Sequence, residues 1–351
     1  MPAEAVAATI LVGGRVHDII AAPDGDCIYV AESDQITVIN GRHNIVARVP
    51  VSRQPKSLAI DAAGKRLFVV HHGGWVSVVD TGDHTVRMLP GVWDLDAAPS
   101  PDGRYLYAAC HPIIGTDVGS VVAVIDIASA TTVAALPVVG DVAGLAMSPD
   151  GGRLYVASYD ARTLYQYGAG LLTVIDTAGP AIVDIFAVDP CPETVTVSPD
   201  GTHLSITHYD TSSVSAIDLT ARTATTVTLP HAPLSVEFTP DGAHAYVTTV
   251  RSLAVIDTAT HEVEDIATGD LPRGMRLSPD GKRAYVTNFG DHTLSVVDTI
   301  TNSVSATVDV ARHPEAVAIS ADGDRVYLGH YWPGIVTVIS IPTVRDRRPP
   351  A

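Results

Sequence analysis

The chain has 351 residues, of which 46% are hydrophobic and 17% charged, a composition typical of a folded globular protein. Its 39 acidic and 22 basic side chains give a formal net charge of −17, which disfavours binding to nucleic acid or to an anionic membrane surface. The first residues lack the cationic and apolar regions of a signal peptide, and no segment has the roughly 20 apolar residues of a membrane-spanning helix. Three scattered cysteines cannot form a disulfide framework, so we expect a soluble, cytoplasmic protein.

A tight-turn signal of the form Ser-Pro-Asp-Gly, with variations, recurs eight times. Its glycines lie 39 to 50 residues apart and are Gly25, Gly64, Gly103, Gly151, Gly201, Gly242, Gly281 and Gly323. Proline presets the first turn angle and glycine accepts a positive φ. Each copy therefore predicts a tight reversal between two strands.

Every copy lies in the same pattern of apolar segments. An apolar strand precedes the turn, and an aromatic-led strand such as Tyr285-Val286 follows it. A third strand ends in Ile or Val plus Asp, as at Val297-Asp298, and a Thr- or Ala-rich turn leads into a fourth. Four strands in a period of about 40 residues predict one blade of a β-propeller. Since no segment has sustained helical periodicity, we expect an all-β protein with eight four-stranded blades.

The two ends of the sequence are complementary. The last repeat has only three strands, ending at residues 335–341, whereas the first is preceded by a spare strand at residues 8–12. Pairing these segments would complete the last blade and cover its open edge. We therefore predict one propeller domain over residues 1–342, followed by a short, polar, proline-rich tail over residues 343–351.

Two of the aromatic-led strands carry a family resemblance. The segment Tyr285-Val-Thr-Asn288, with the near match Tyr246-Val-Thr-Thr249, resembles the signature of the YVTN-repeat β-propeller family. The resemblance covers nearly the whole chain and implies the propeller fold. Many members have seven blades, so seven is the alternative to the eight counted above. The family includes scaffolds, surface proteins and enzymes, and the resemblance implies no single function.

Candidate functional residues recur at two repeat positions on the rim opposite the Asp-Gly turns. Three residues beyond the second-strand aromatic stand, among others, Glu32, His71, His208 and His330. At the mouths of the innermost strands stand, among others, His17, Lys56, Arg273 and Glu315. Because the last blade abuts the first, three adjacent blades would bring together His17, Glu32, His71, Glu315 and His330.

Imidazole and carboxylate groups suit either metal binding or acid–base catalysis. We expect the catalytic residues to be His17, His71, Glu315 and His330. A divalent transition metal would be held by residues from His71, His111, His208, His330 and Glu32. The placement is similar in style to virginiamycin-B-lyase-like propellers, and more distantly to haem-d1-type propellers. No phosphate-binding glycine loop is present in the sequence, so we expect no nucleotide cofactor.

Two loops on the same rim are longer than the others, at residues 111–120 and 159–170. Long loops in a compact domain often carry function. Substrate contacts are expected from Tyr159, Tyr165, Tyr167 and Tyr331, and an anionic group would be bound by Lys56 and Arg273.

These residues favour an enzyme that acts on a small molecule at the loop-rich rim, with lyase, hydrolase or isomerase chemistry. The alternative is a non-catalytic scaffold, which would present an aromatic or apolar patch to a protein partner. A nucleophilic role for Cys191, which lies between two prolines, is a further alternative.

Overall fold

The computed structural model describes residues 5–52, 54–73, 75–89, 97–110, 120–159 and 170–341. Within these residues the chain forms 32 strands and no helix. The predicted all-β class is therefore confirmed. The proposed tail at 343–351 lies outside the described residues.

The strands follow the chain in groups of four, preceded by one additional strand. The additional strand is β1 (Ala5–Leu11). Blade 1 contains β2 (Asp18–Ala21), β3 (Cys27–Ala31), β4 (Gln35–Asn40) and β5 (Ile45–Pro50). Blade 2 contains β6 (Pro55–Ile60), β7 (Arg66–His71), β8 (Trp75–Asp80) and β9 (Val86–Leu89). Blade 3 contains β10 (Ala97–Pro99), β11 (Tyr105–Cys110), β12 (Val121–Asp126) and β13 (Thr131–Pro137). Blade 4 contains β14 (Asp141–Met147), β15 (Arg153–Tyr159), β16 (Gly170–Asp176) and β17 (Ala181–Val188).

The second half of the chain repeats this order. Blade 5 contains β18 (Pro192–Val197), β19 (His203–His208), β20 (Ser213–Asp218) and β21 (Thr223–Thr228). Blade 6 contains β22 (Pro233–Phe238), β23 (His244–Thr249), β24 (Leu253–Asp257) and β25 (Val263–Ile266). Blade 7 contains β26 (Pro272–Leu277), β27 (Arg283–Asn288), β28 (Thr293–Asp298) and β29 (Ser303–Asp309). Blade 8 contains β30 (Pro314–Ile319), β31 (Arg325–His330) and β32 (Ile335–Ser340), and β1 is its fourth strand.

Each blade is a four-stranded antiparallel sheet, and there are eight of them. The count of eight blades is thus confirmed over the alternative of seven. The innermost strands of successive blades contact one another around the ring, and β30 of blade 8 contacts β2 of blade 1. This order describes a closed eight-bladed propeller whose innermost strands line a central channel.

The ring closes through the additional strand at the beginning of the chain. Strand β1 pairs antiparallel with β32, with Ile10 opposite Val336 and Leu11 opposite Ile335. Ile10 and Val12 are buried in a cluster that includes residues of blades 8 and 1. The predicted closure is therefore confirmed, and β32 has no unpaired edge that another chain could use.

The repeated turns have the predicted backbone. All eight turn glycines have a positive φ, between 66° and 77°. In six copies the Ser or Thr hydroxyl donates to the turn Asp at 2.5 to 2.7 Å. The same hydroxyl accepts the backbone N–H five residues later, as from Arg283 to Ser278 at 3.0 Å. Each turn is thereby tied to the start of the second strand.

The hydrophobic cores lie between blades. The second-strand aromatic of one blade packs against the sheet of the next, as Tyr246 of blade 6 does against Met275 and Leu277 of blade 7. Full burial of such a side chain contributes about 1.5 to 3 kcal/mol. Because each blade completes the core of its neighbour, the ring depends on closure.

We expect Ile10→Asp to lower the free energy of unfolding by about 3 kcal/mol, because it places an unpaired carboxylate in the core that joins blades 8 and 1. Urea denaturation measures the change. Leu11→Asp is the matched control, since Leu11 lies on the same strand with 68% of its surface exposed. Equal losses for both variants would contradict the closure role of Ile10.

Asp200 makes the turn of blade 5 sensitive to acid. Hydrogen bonds from Ser198 and Thr202 lower its pKa from 3.8 to about 2. A carboxylate with a lowered pKa in the folded state stabilises the fold above its unfolded pKa and loses that effect as the pH falls through the folded value. The stability difference between the native chain and Asp200→Asn should be full above pH 3.8 and vanish towards about pH 2. Urea denaturation across this range tests it, and a stability difference that stays constant from pH 3.8 to about pH 2 would contradict it.

Candidate functional site

The mouth of the central channel at the loop-rich rim carries His17. This residue directly precedes β2, and its backbone N–H donates to the Ala31 carbonyl at 2.9 Å. The half-buried imidazole meets the rings of Tyr331 and His72 edge-on, at centroid distances of 6.0 and 6.1 Å. Burial lowers the pKa of His17, and the nearby His72 and Arg15 lower it further. The imidazole is therefore predominantly neutral, with a lone pair to accept a proton, at neutral pH.

Glu315 lies on the next innermost strand around the ring, as the second residue of β30. Burial raises the pKa of its half-buried carboxyl group, and the Arg273 guanidinium acts in the opposite direction. Arg273 is exposed on β26, and its guanidinium carbon lies 5.6 Å from the centroid of the Phe289 ring. A carboxyl group with a raised pKa and an anchored cation thus stand on adjacent blades.

One cavity joins these three side chains. A space of about 400 Å³ is lined by His17, Glu315 and Arg273, together with other residues of the innermost strands of blades 6, 7, 8 and 1. A second, larger space of about 740 Å³ shares Arg273 and Leu234 with it and adds Arg251 and Asp270. The structure therefore brings His17, Glu315 and Arg273 to one site.

Three further charged residues of the innermost strands were not predicted as site residues: Asp18, Glu237 and Arg276. Asp18 accepts the backbone N–H of Leu58 at 2.8 Å, and burial raises its pKa while Arg276 opposes that shift. Burial also raises the pKa of Glu237, whose Oε2 lies 3.9 Å from the Arg276 guanidinium. The signal was present, because these are charged residues within otherwise apolar innermost strands.

The histidines at the ends of the second strands occupy a different environment. His71, His208 and His330 are almost completely buried. Their Nε2 atoms lie 2.8 Å from hydroxyls of the adjacent third strand, on Ser77, Ser215 and Thr337. These side chains join strands within their own blades.

The imidazoles of His208 and His330 are also hydrogen-bonded to the loops that precede the innermost strands of their blades. Nδ1 of His208 lies 2.9 Å from the Pro190 carbonyl, and Nδ1 of His330 lies 3.0 Å from the Arg312 carbonyl. Both ring nitrogens of each side chain are therefore hydrogen-bonded within the fold. The consistent assignment has Nδ1–H donating to the carbonyl while Nε2 accepts from the hydroxyl.

Glu32 has the equivalent position in blade 1 and also bonds inward. Its carboxylate accepts the Gly14 N–H at 2.8 Å and the Thr37 hydroxyl, and Arg48 lies 3.8 Å away. Among the residues described by the structure, no group of three or more His, Cys, Asp or Glu side chains is placed to hold a metal ion. His111, another of the predicted ligands, lies outside them.

The remaining predicted residues are spread around the rim. Tyr331 forms part of the wall beside His17, Lys56 is exposed on β6, and Tyr159 is half-buried at the end of β15 with a pKa raised by burial. Tyr165 and Tyr167, with most of both long loops, lie outside the described residues.

Cys191 is unsuited to nucleophilic chemistry. Burial and the nearby Asp210 raise the pKa of its thiol to about 11. The thiol form therefore predominates at neutral pH, and the reactive thiolate is scarce.

An aromatic and imidazole cluster borders Arg273 on the side of blades 7 and 8. The His313 ring stacks on Phe289 at 4.7 Å, and His292 meets His313 edge-on at 5.1 Å. Phe289 also faces the Arg273 guanidinium. This packing restricts the position of Arg273 at the cavity.

No protein-family model matches the sequence, and no curated protein matches it. Among solved structures, a chain of hydrazine synthase from Kuenenia stuttgartiensis is similar, with a TM-score of 0.63 and 21% sequence identity. The similarity covers 95% of this chain and 97% of that one. At this identity it shows the fold alone. No helix long and apolar enough to cross a membrane occurs among the described residues.

The buried His330 should make stability depend on pH. Burial is the main cause that lowers its pKa from 6.5 to about 4, and the nearby His292 and His313 contribute. Because the unfolded chain binds this proton more readily, stability is full above pH 6.5 and falls as the pH drops towards about 4. This one group accounts for up to about 1.4 kcal/mol per pH unit.

We therefore expect His330→Gln to show a shallower loss of stability than the native chain over this range, as measured by urea denaturation at a series of pH values. His72→Gln, at an exposed imidazole, serves as the control. A slope unchanged by His330→Gln would contradict the buried, neutral state of this side chain.

Proposed function

We propose that the protein is an enzyme that moves a proton on a small anionic molecule bound at the mouth of the central channel. The observation that carries the proposal is the placement of His17, Glu315 and Arg273 around one cavity.

The electrostatics of the cavity support acid–base chemistry. The lowered pKa of His17 keeps the imidazole able to accept a proton, and the raised pKa of Glu315 extends the pH range over which its carboxyl group can donate one. Pairs of titratable groups whose environments shift their pKa values in this way are typical of acid–base sites. A lyase or isomerase that removes and returns a proton uses both groups directly, and a hydrolase would use them on water.

The acid–base form of the proposal is better supported than the metal-assisted form. Nε2 of each of the proposed ligands His71, His208 and His330 is hydrogen-bonded to the hydroxyl of a neighbouring strand. These residues belong to three blades and bond inward there, whereas His17 and Glu315 line the cavity.

The arginines indicate the substrate class. Arg273 and Arg276 border the cavity, and Arg251 borders the adjoining space. These three guanidinium groups stand among the carboxyl groups of Asp18, Asp270 and Glu315, and they supply the cationic hydrogen-bond donors of the opening. A carboxylate or phosphate group matches the planar donors of arginine, so we propose a small carboxylate or phosphate ester as substrate.

A second candidate function is a protein-interaction scaffold, and one observation favours it. The Arg15 guanidinium lies 5.1 Å from the Tyr331 ring centroid and 5.0 Å from that of Trp332, and 52% of the Trp332 surface is exposed. An exposed tryptophan beside an arginine is typical of binding hot spots. This patch adjoins the channel mouth through the contact between His17 and Tyr331.

The enzyme proposal is tested by proton exchange in D₂O. The purified protein is incubated with small carboxylates and phosphate esters that carry a C–H next to a carbonyl or carboxylate, and ¹H NMR follows signal loss. We expect His17→Asn and Glu315→Gln each to reduce exchange by roughly 100-fold or more. Arg273→Gln should raise KM more than it lowers kcat, because it removes a binding contact.

The pH dependence follows from the same two groups. With neutral His17 as base and protonated Glu315 as acid, activity falls below the pKa of His17 and above the pKa of Glu315. Since burial lowers the pKa of His17 from 6.5 and raises that of Glu315 from 4.5, the acidic limb of the profile should lie below pH 6.5 and the basic limb above pH 4.5.

Glu193→Gln is the matched control, because Glu193 has the same repeat position as Glu315 but lies three blades away. It should leave exchange unchanged. Exchange that survives both His17→Asn and Glu315→Gln would overturn the site. Lack of exchange with every compound would overturn the enzyme proposal and favour the scaffold.

A further inference from the structure

An aromatic side chain fills the space between neighbouring blades at seven of the eight junctions. It stands four residues after each turn glycine, and the seven residues are Tyr29, Phe68, Tyr107, Tyr155, Tyr246, Tyr285 and Tyr327. All seven are at most 5% exposed. The position is therefore part of the packing that joins each blade to the next.

Blade 5 breaks this rule, because Ser205 occupies the equivalent position. The core between blades 5 and 6 contains no aromatic side chain from blade 5 among its buried members. A cavity of about 280 Å³ lies at this junction, lined by Ser205, Ile217, Phe238 and other residues of the two blades. The cavity thus lies where a tyrosine ring packs elsewhere in the propeller.

Phe238 fills only part of the missing volume. It is larger than the Leu277 and Ile319 side chains that occupy its position in blades 7 and 8. The space that remains exceeds the roughly 150 Å³ of an apolar protein cavity known to bind benzene. A single aromatic ring with small substituents therefore fits within the available volume.

A hydroxyl group lies at one end of the cavity. In blades 1 and 3, Tyr29 and Tyr107 hydrogen-bond with Thr81 and Thr177 of the following blade. Thr258 has the corresponding position in blade 6 and lines the cavity. Its hydroxyl donates to the Gly242 and Ala243 carbonyls, both at 2.9 Å, so the oxygen keeps a lone pair for an incoming O–H.

We propose that this cavity is a binding site for a small phenol. The aromatic ring takes the place that Tyr246 and its counterparts occupy at other junctions, and the phenol hydroxyl donates to Thr258. The cavity lies near the Asp-Gly turns, since the backbone N–H of Thr258 donates to Ala243 just after the turn of blade 6. It is therefore separate from the channel mouth and does not depend on the proposed enzymatic function.

The test uses p-cresol as the probe, with binding measured by isothermal titration calorimetry and by saturation-transfer NMR. The native chain should bind one p-cresol, and it should bind toluene roughly fivefold more weakly, because toluene lacks the hydroxyl that Thr258 accepts. Thr258→Val should remove that preference while it leaves toluene binding in place.

Filling the cavity from within should exclude the probe. Ser205→Tyr supplies the missing side chain and should reduce p-cresol binding by roughly 100-fold or more, because ring and ligand need the same space. Ser205→Phe is the second variant and decides the question if the tyrosine variant fails to fold. Ser205→Ala is the matched control and should bind p-cresol as the native chain does, because it keeps the space open.

Two results would overturn the proposal. One is no detectable binding of p-cresol to the native chain at millimolar concentration. The other is p-cresol binding that persists in a folded Ser205→Tyr or Ser205→Phe variant, since the ligand would then occupy another site. Neither result depends on whether the channel mouth has enzymatic activity.

Discussion

Each blade of this propeller completes its hydrophobic core with a side chain from the blade before it. Tyr246 packs against Met275 and Leu277 of blade 7, and Tyr327 packs against Ile19 and Ile28 of blade 1. Such a series of contacts has no stable end, because a terminal blade would expose one apolar sheet face to water. The hydrogen-bonded pairing of β1 with β32 therefore closes a ring that the packing at all eight junctions requires.

This requirement restricts where chemistry can occur. Both faces of each sheet are used in packing, so a ligand can reach side chains only at the innermost strands and in the loops of the two rims. The innermost strands carry Asp18, Glu237 and Arg276, and the Asp18 carboxylate accepts the backbone N–H of Leu58 on the next blade. Charged side chains in the channel therefore also bond to neighbouring blades. The side chains nearest the mouth are the ones most available to contact a ligand.

The repeated turns made the fold predictable, because glycine at a positive φ and the Ser–Asp pair determine local geometry without help from distant residues. The sequence also showed that His71, His208 and His330 share one repeat position. It did not show whether their imidazoles point into their own blades or towards the rim. A strand-end side chain turns inward or outward according to its partner, and here the partners are Ser77, Ser215 and Thr337. These hydroxyls follow the histidines by six or seven residues and were the available signal. The cavity that joins His17, Glu315 and Arg273 depends on the closed ring, which no local pattern describes.

Repetition within one chain separates structural from functional residues without any homologue. A position that keeps one type of bond in several blades, as His208 and His330 do with a hydroxyl and a loop carbonyl, is required by the fold. The position of His17, Arg273 and Glu315 holds Lys, Leu, Ala, Glu and Leu in the other blades, so the fold places little demand on it. Because the fold does not require a particular residue at this position, the cluster of titratable groups on adjacent blades is better explained by function. Ser205 is the converse, because it departs from a position that the fold fills with an aromatic ring everywhere else, and a cavity of about 280 Å³ lies at that junction.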